Sequence, residues 1–447
     1  MAMLVLILIA VTVCFFLVLI THRDFFHDFF SPQILLTLFF IIFYIIPAFR
    51  FIQGDDYFTK TVGMFFVGTS LTGVDRVNTI IVSFMSFVCL IGGIYFSYWL
   101  KAFRTSPEIS VKSEIFWNKM NFYNISFLYI IIGILETLLL IRFSGGVLSI
   151  FLNLGKKFEI RSGNYIFTFG YMFLSVASLL VLFHNKKITF SFALLLLVSI
   201  LSVSLIINRG LIVIILGLVP LSYNYCIKQL SIKKVFLLSV LGLFGAVFYK
   251  VLQVVIISNW NFKYLFSGYF FSAIARDLFG DVLIGPQQLS FALKGIPSIL
   301  GFQYGKTIIG FLISLIPSKF FVDKPMVSGA GIYTQSLFPH IFYNGSTIPP
   351  GLIGELYMNF SIVGVIVGMF ICGLFLGRLF HEMNLKKSVF LVFLYSLSII
   401  FFLYLLRGEF LLLTKYLLFI LFFWIALRFS SREKIVLLKT EDLNKCE

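Results

Sequence analysis

Residues 346–360 read STIPPGLIGELYMNF, and they begin a hydrophobic stretch that continues to about Gly377. Its length predicts a membrane-spanning helix, and Pro349, Pro350 and Gly351 predict that this helix begins at Gly351. Glu355 therefore stands in the first turns of a segment that is otherwise suited to lipid. Ionisable side chains in such segments are rare, and each one is a candidate functional residue.

The rest of the chain has the composition of a polytopic membrane protein. Of its 447 residues, 60% are hydrophobic and only 12% are charged, and the mean hydropathy is +1.03. Apolar runs of about 18 to 25 residues recur along the chain, which favours helices over a barrel, because barrel strands alternate between apolar and polar residues. The predicted fold class is all-α, with about 11 or 12 transmembrane helices.

The predicted spans follow one another with mostly short links. They lie at residues 3–21, 29–49, 77–100, 123–142, 165–184, 188–207, 210–227, 235–256, 351–377, 388–406 and 411–427, with a shorter twelfth candidate at 61–75. We read residues 1–447 as a single transmembrane domain, because no internal repeat or low-complexity linker divides the chain.

The chain has a net charge of +16. We attribute this charge to membrane topology and do not predict nucleic-acid binding. The links at 184–187, 228–234 and 378–387 are short and basic, and all three fall on one side if the spans alternate. The positive-inside rule assigns that side to the cytoplasm. The orientation of the N-terminus depends on whether residues 61–75 span the membrane.

This topology sends residues 257–350 to the external, periplasmic side. A segment of about 90 residues between two spans is long for a passive connection, and such segments usually carry function or are disordered. We expect order here, because the segment contains aromatic-rich stretches and a short apolar run, TIIGFLISLIP at 307–317. That run has the length of a re-entrant or interfacial helix.

Charged residues at three places map to the same external face. Arg209 and the pair Arg407 and Glu409 interrupt apolar runs near a glycine, and Arg276 lies in the long segment. Each interruption is also explained by a tight turn whose arginine reaches the interface. Their shared side favours a common anionic ligand, and the guanidinium fork suits a phosphate or diphosphate.

Glu355 and His340 are the candidate catalytic residues on this face. Glu355 lies near the start of its helix, where the helix dipole stabilises a carboxylate. It is therefore either a helix-start carboxylate paired with an arginine or a base that acts on a hydroxyl group, and the two roles are compatible. His340, in FPHIFYNGS, is either an interfacial loop residue or a catalytic or acceptor-binding group.

The stretch TIPPGLIGELYMNFSIVGVIVGMFICGLFLGRLF resembles the bacterial O-antigen polymerases, the Wzy-like family that polymerises oligosaccharide repeat units. The resembling pattern is a proline-containing lead, then G-E-x-Y-x-N-F, then a helix with spaced glycines. The isolated NRG after a span, the long external segment and LRGE before the last span fit the same layout. The resemblance covers residues 200–410 well, whereas the N-terminal part matches only as hydrophobic spans.

The resemblance implies a membrane glycosyltransferase with an architecture like that of the GT-C class. Such an enzyme lies in the bacterial inner membrane and acts at its periplasmic face. It transfers the growing glycan from undecaprenyl diphosphate to the non-reducing end of the next lipid-linked repeat unit. The implied partners are the undecaprenyl-diphosphate-linked oligosaccharide, membrane lipid and, as a further candidate, a chain-length regulator. Tyr357, within the resembling motif, and Glu409 join the three arginines as candidate substrate-binding residues.

Two alternatives share parts of this pattern. An O-antigen ligase has the same architecture but delivers the chain to a lipid A core. A lipid-linked oligosaccharide flippase or other transporter is expected to have charges in mid-span and short loops on both sides. The sequence separates polymerase from ligase poorly.

No cofactor or metal is predicted. The sequence lacks the paired carboxylates that hold a divalent cation in many enzymes that use nucleotide sugars, and hard cations need several oxygen ligands. The five cysteines are isolated and form no metal-binding pattern. The stretch GFQYGKT at 301–307 imitates a phosphate-binding loop, but it has three residues between its glycines instead of four.

Overall fold

The computed structural model describes residues 28–53, 62–102, 110–146, 169–205, 209–231, 233–235, 237–238, 284–316 and 325–438. Contacts divide the chain into two compact units. Unit 1 comprises residues 1–104, 272–380 and 401–415, and unit 2 comprises residues 105–271, 381–400 and 416–447. The prediction of a single transmembrane domain stays a prediction.

The all-α prediction is confirmed. In chain order the helices are α1 (Pro32–Phe40), α2 (Ile46–Gln53), α3 (Gly73–Ala102), α4 (Lys119–Phe143), α5 (Gly170–Asn185), α6 (Phe190–Leu205), α7 (Arg209–Cys226), α8 (Gly285–Gly295), α9 (Lys306–Ser314), α10 (Gly329–Leu337), α11 (Pro339–Tyr343), α12 (Gly351–Lys386), α13 (Val389–Arg407) and α14 (Leu413–Ser430). A π-helical turn, Ile41–Ile45, joins α1 to α2, and short 3₁₀ helices lie at Gly63–Phe65 and Phe410–Leu412. One antiparallel ribbon is the exception: β1 (Ser110–Trp117) pairs with β2 (Ser431–Leu438), with Ser110 opposite Leu438 and Trp117 opposite Ser431.

Six helical segments in the described ranges are long and apolar enough to cross a membrane. They are Pro32–Gln53, Gly73–Leu100, Met120–Phe143, Gly351–Lys386, Val389–Arg407 and Phe410–Ser430. Three shorter apolar helices, Gly170–Asn185, Phe190–Leu205 and Leu211–Cys226, coincide with further predicted spans. These helices are those of a polytopic membrane protein.

Two predicted spans are not tested, and one is wrong. The span at 3–21 and most of the span at 235–256 lie outside the described residues. The twelfth candidate at 61–75 is wrong, because residues 62–72 contain only the 3₁₀ helix Gly63–Phe65 and α3 begins at Gly73. Thr72 ends this stretch by donating its backbone N–H and its hydroxyl to Asp75, at 2.7 and 2.8 Å, which fixes the start of α3.

Most of α12 belongs to unit 1, and this helix bends at one place. Phe360 and Ser361 have non-helical backbone angles, with Ser361 at φ 59° and ψ −155°. After this kink the helix packs against α3 through glycines. A Cβ on Gly93 would collide with the backbone carbonyl of Phe370, and one on Gly373 with that of Leu90. Small residues allow such close backbone approach between membrane helices.

The described part of the predicted external segment is ordered and helical. It contains α8, α9, α10 and α11, and α9 covers most of the short apolar run at 307–317. Helices α8 and α10 contribute to a hydrophobic cluster that includes Phe291, Tyr333, Phe338 and Met358. Met358 belongs to α12, so this cluster joins the segment to the first half of that helix.

In unit 2, α5 packs between α4 and α6 through small and hydroxyl-bearing residues. A Cβ on Gly170 would lie 2.8 Å from the carbonyl oxygen of Gly133. The hydroxyls of Ser175 and Ser199 are 2.6 Å apart, and those of Thr137 and Ser202 are 2.7 Å apart. Such hydroxyl pairs join neighbouring helices in apolar surroundings.

Candidate functional site

Glu355 is fully buried in unit 1 and contacts a distant part of the chain. It is the fifth residue of α12, and none of its side chain is exposed. Its Oε2 accepts the backbone N–H of Phe410 at 2.7 Å. Phe410 is the first residue of the 3₁₀ helix after α13. The carboxylate therefore binds the start of another helical segment, and this contact differs from the capping of its own helix that the sequence allowed.

The second oxygen of Glu355 is held less tightly. Glu355 Oε1 has no hydrogen-bond partner among the described residues. The Thr307 hydroxyl also interacts with this carboxylate. The carboxylate thus has one fixed oxygen and one oxygen that remains available to a further donor.

Gly329 lets α10 approach the Glu355 carboxylate closely. A Cβ at position 329 would lie 2.6 Å from the Glu355 Cδ atom, which is closer than real Cβ contacts occur. Any larger residue at this position must displace the carboxylate or move α10. Gly329 is the first residue of α10, and Ser328 caps that helix by accepting the N–H of Gly331 at 2.9 Å.

Glu409 binds the same end of α10. Its Oε2 accepts the Ser328 hydroxyl at 2.7 Å and the N–H of Ala330 at 2.8 Å. Burial raises the pKa of the Glu409 carboxyl, and the two hydrogen bonds and the charge of Lys415 lessen that rise. Glu409 also acts electrostatically on Glu355. The structure therefore brings two carboxylates together at the start of α10.

Asn359 ties the first half of α12 to the loop before α9. Its Nδ2 donates to Thr307 Oγ1 at 2.7 Å and to the backbone oxygen of Glu355 at 2.8 Å. Its Oδ1 accepts the N–H of Gly305 at 2.9 Å. Asn359 is fully buried, and these three bonds use most of the hydrogen-bonding capacity of its amide.

The same loop binds backbone groups that the kink of α12 leaves free. The N–H of Gln303 donates to Met358 O at 2.9 Å, and that of Tyr304 donates to Asn359 O at 3.2 Å. Ser361 adopts a region of backbone space that is almost confined to glycine, and such residues persist only where their surroundings hold them. The stretch that imitates a phosphate-binding loop, residues 301–307, thus contacts the helix of Glu355.

His340 and Tyr357 make their contacts elsewhere in unit 1. The His340 ring is exposed, stacks on Phe65 at a centroid distance of 4.8 Å, and lies 3.3 Å from the Asn344 amide. Tyr357 donates its hydroxyl to Ile296 O at 3.4 Å. None of these contacts involves Glu355, so a shared catalytic role for His340 and Glu355 stays a prediction.

The three candidate arginines are placed to different extents. Arg407 is the last residue of α13, half-buried, and two residues before Glu409. Arg209 is the first residue of α7 in unit 2, and its side chain lies outside the described residues. Arg276 lies wholly outside them. Their convergence on one ligand therefore stays a prediction.

Several residues that surround Glu355 were not singled out from the sequence. Ser328 and Gly329 carry no motif of their own, and Thr307 lies in the stretch 301–307 that only imitates a phosphate-binding loop. The fold alone brings these three residues near Glu355 and Glu409. Asn359 had a signal, because it is the asparagine of the quoted G-E-x-Y-x-N-F pattern and lies one helical turn after Glu355. In the described ranges, no three His, Cys, Asp or Glu side chains are grouped so that they could hold a metal ion, and the metal-free chemistry stays a prediction.

Comparison with known proteins supports the predicted resemblance. Residues 339–437 match the sequence model of a family described as Putative O-antigen polymerase. The matched stretch contains Glu355, Asn359, Arg407 and Glu409. No curated protein and no solved structure matches the chain.

Proposed function

We propose that this chain is a polysaccharide polymerase that joins lipid-linked oligosaccharide repeat units, with Glu355 as its general base. The observation that carries the proposal is the fully buried carboxylate of Glu355, which has one oxygen fixed by Phe410 N–H and one without a full partner. The match of residues 339–437 to O-antigen polymerases supports the reaction class. A base must be oriented and must keep one oxygen available to the proton it removes.

The proposed reaction is a glycosyl transfer from one lipid carrier to the next unit. A hydroxyl at the non-reducing end of the acceptor attacks the anomeric carbon of the growing glycan. A new C–O bond forms, and the bond between that carbon and the diphosphate breaks. Undecaprenyl diphosphate leaves with the electron pair, and Glu355 takes the proton of the attacking hydroxyl.

The leaving diphosphate needs positive charge, and we assign that role to Arg407 and Arg276, which both belong to unit 1. The position of Arg407 supports this role, because it lies on the turn whose next residues bind Glu355 and the start of α10. Replacing Arg407 with Ala should abolish chain extension without removing the protein from the membrane. Lys should rescue poorly, because its point charge lacks the bidentate fork. Full activity of the Ala variant would remove Arg407 from the site.

The proposed site faces the periplasm, across the bacterial inner membrane from the short basic links. Ser346 and Ser231 test this orientation, because both are exposed and lie on opposite predicted faces. In a variant without native cysteines, a cysteine at 346 should react with a membrane-impermeant thiol reagent in intact spheroplasts, and one at 231 should not. The reverse pattern would invert the orientation.

The lipopolysaccharide profile of a strain that lacks this chain tests the proposed function. A polymerase defect leaves one repeat unit on each lipid A core, and the wild-type gene should restore the ladder of longer chains. A profile with no repeat unit on the core would indicate a ligase or a flippase instead. An unchanged ladder would reject all three roles.

A further inference from the structure

Helix α8 in unit 1 carries buried polar side chains that the proposed reaction does not use. Its sequence GPQQLSFALKG places Gln287, Gln288 and Ser290 within four consecutive positions, and their exposures are 3%, 1% and 0%. Gln288 Oε1 and Nε2, Gln287 Oε1 and Ser290 Oγ have no hydrogen-bond partner among the described residues. Burying polar groups unpaired destabilises a fold, so a cluster of them indicates a further partner.

The backbone N–H and C=O of Gln288 are both hydrogen-bonded, so at this residue only the side chain lacks a partner. The carbonyl of Gln288 accepts the Tyr333 hydroxyl at 2.9 Å, and the N–H of Gln288 donates to Ile284 O at 3.0 Å. Buried serines on other helices, such as Ser83 and Ser175, donate to the carbonyl four residues earlier. Ser290 makes no such bond. Some buried serines on other helices, such as Ser222 and Ser396, also lack a partner, so the distinguishing feature of α8 is that four such atoms lie on one short helix.

The cluster lies beside the first turn of α12. A Cβ on Gly351 would be 3.8 Å from Gln288 Oε1, and a Cβ on Gly354 would be 3.5 Å from the Cβ of Ala292. Helix α8 thus runs along the segment that leads to Glu355. Since Glu355 follows Gly351 by four residues, it lies about 6 Å further along the helix axis. That separation is comparable with the width of one sugar ring.

We infer that Gln287, Gln288 and Ser290 form a subsite for a neutral sugar ring of the acceptor oligosaccharide. Sugar hydroxyls both donate and accept hydrogen bonds, and amide and hydroxyl side chains offer both functions in return. The trio carries no charge, which argues against a phosphate or a cation as its ligand. The inference rests on the proposed function, in which Glu355 acts on an acceptor hydroxyl. These atoms are covered in the present structure, so the ring binds only when neighbouring groups shift.

The kinetic test compares Gln288→Leu and Ser290→Ala with the wild-type protein in proteoliposomes. The substrate is the lipid-linked repeat unit extracted from a strain that lacks this chain. We expect the KM for this substrate to rise about tenfold in Gln288→Leu, with a smaller change in kcat, because a site built for hydroxyls loses its paired groups. Gln33→Leu is the control outside the cluster: the Nε2 of buried Gln33 donates to the Tyr98 hydroxyl at 2.8 Å, whereas its Oε1 has no partner among the described residues. The KM of this variant should not change.

A binding test needs no catalysis. The oligosaccharide released from its carrier lacks the diphosphate leaving group, so it binds without reacting. It should raise the thermal unfolding temperature of the wild-type protein, and Gln288→Leu should lose this shift. Without ligand, Gln288→Leu should be as stable as the wild type or more stable, because it removes an unpaired buried amide.

Each outcome decides between the subsite and its alternatives. An unchanged KM and an unchanged thermal shift in Gln288→Leu would show that these amides bind only water, and would overturn the subsite. A marked loss of stability without ligand would assign the amide a structural role and would also overturn it. If the wild-type protein fails to elongate the lipid-linked unit but still shows the shift, the proposed function fails and the subsite stands.

Discussion

The two halves of α12 meet at Phe360 and Ser361 and differ in what surrounds them. Before the kink, side chains such as Ile353, Glu355 and Asn359 are fully buried. After it, Val363 and Ile371 are 66% and 56% exposed on the surface of the protein. The first half carries polar groups bound to α9, to the loop before it and to the 3₁₀ helix after α13. The second half has mostly apolar side chains, and its glycines pack against α3.

The two halves of α12 therefore restrict their amino-acid residues for different physical reasons. In the second half, glycine is needed because backbones touch, and lipid-facing positions require only apolar character. In the first half, each polar residue has a specific partner, and a substitution leaves that partner unpaired. Changes in the first half should therefore alter the reaction, and changes in the second half should alter the amount of folded protein.

The largest effect is expected at Gly329, which touches the first half. Gly329→Ala places a Cβ against the Glu355 carboxylate and should reduce chain extension about a hundredfold, because the base that we propose loses its alignment when it is displaced by about 1 Å. The measurement is the rate of elongation per molecule of membrane-inserted protein. Gly301→Ala is the control, because a Cβ there meets nothing within 4 Å. Equal activity of the two variants would show that the close approach is unimportant.

A smaller loss is expected at Asn359. Asn359→Leu removes three hydrogen bonds, leaves the N–H of Gly305 unpaired and should destabilise the protein by about 1–3 kcal/mol. Elongation should fall about tenfold, because the loop that faces Glu355 loosens. Thermal unfolding and elongation are measured together, with the exposed Asn344→Ala as control. Normal stability with normal elongation would contradict the clamping role of Asn359.

The smallest effect on the reaction is expected in the second half. Gly373→Ala forces α12 away from the backbone of Leu90 and should cost about 1–3 kcal/mol of stability. The amount of folded protein should fall, whereas elongation per folded molecule should stay close to that of the wild type. Gly92→Ala, where a Cβ meets nothing within 4 Å, should change neither quantity. A large loss of elongation per molecule in Gly373→Ala would erase the distinction between the halves.

Hydropathy predicted the long helices of the described residues well but could not distinguish the two halves of α12. The start of α12 at Gly351 was predicted correctly, because two prolines and a glycine precede an apolar run. The kink was missed, because no proline or glycine stands at Phe360 or Ser361, and the bend depends on contacts with the loop at 303–305. The span at 61–75 was wrong, because a moderately apolar stretch between two helices was read as a helix.

The candidate site was predictable only where a charge stood out against an apolar background. Glu355 and Glu409 were singled out for that reason, and the structure places both at the start of α10. Thr307, Ser328 and Gly329 could not be found, because small residues are common along the chain and the importance of these three arises from tertiary contacts. Gln288 was missed for the same reason, since only burial without a partner makes it unusual.

The most direct test of the account is the chain-length distribution made by Glu355→Gln at matched protein level. Glutamine keeps the shape of the side chain and can still accept the N–H of Phe410, but it cannot take a proton from a sugar hydroxyl. The account predicts that elongation falls about a hundredfold or more, with partial activity in Glu355→Asp, whose shorter carboxylate remains a base. Long chains from the Gln variant would contradict the account and would leave Glu355 as a carboxylate that only joins two helical segments.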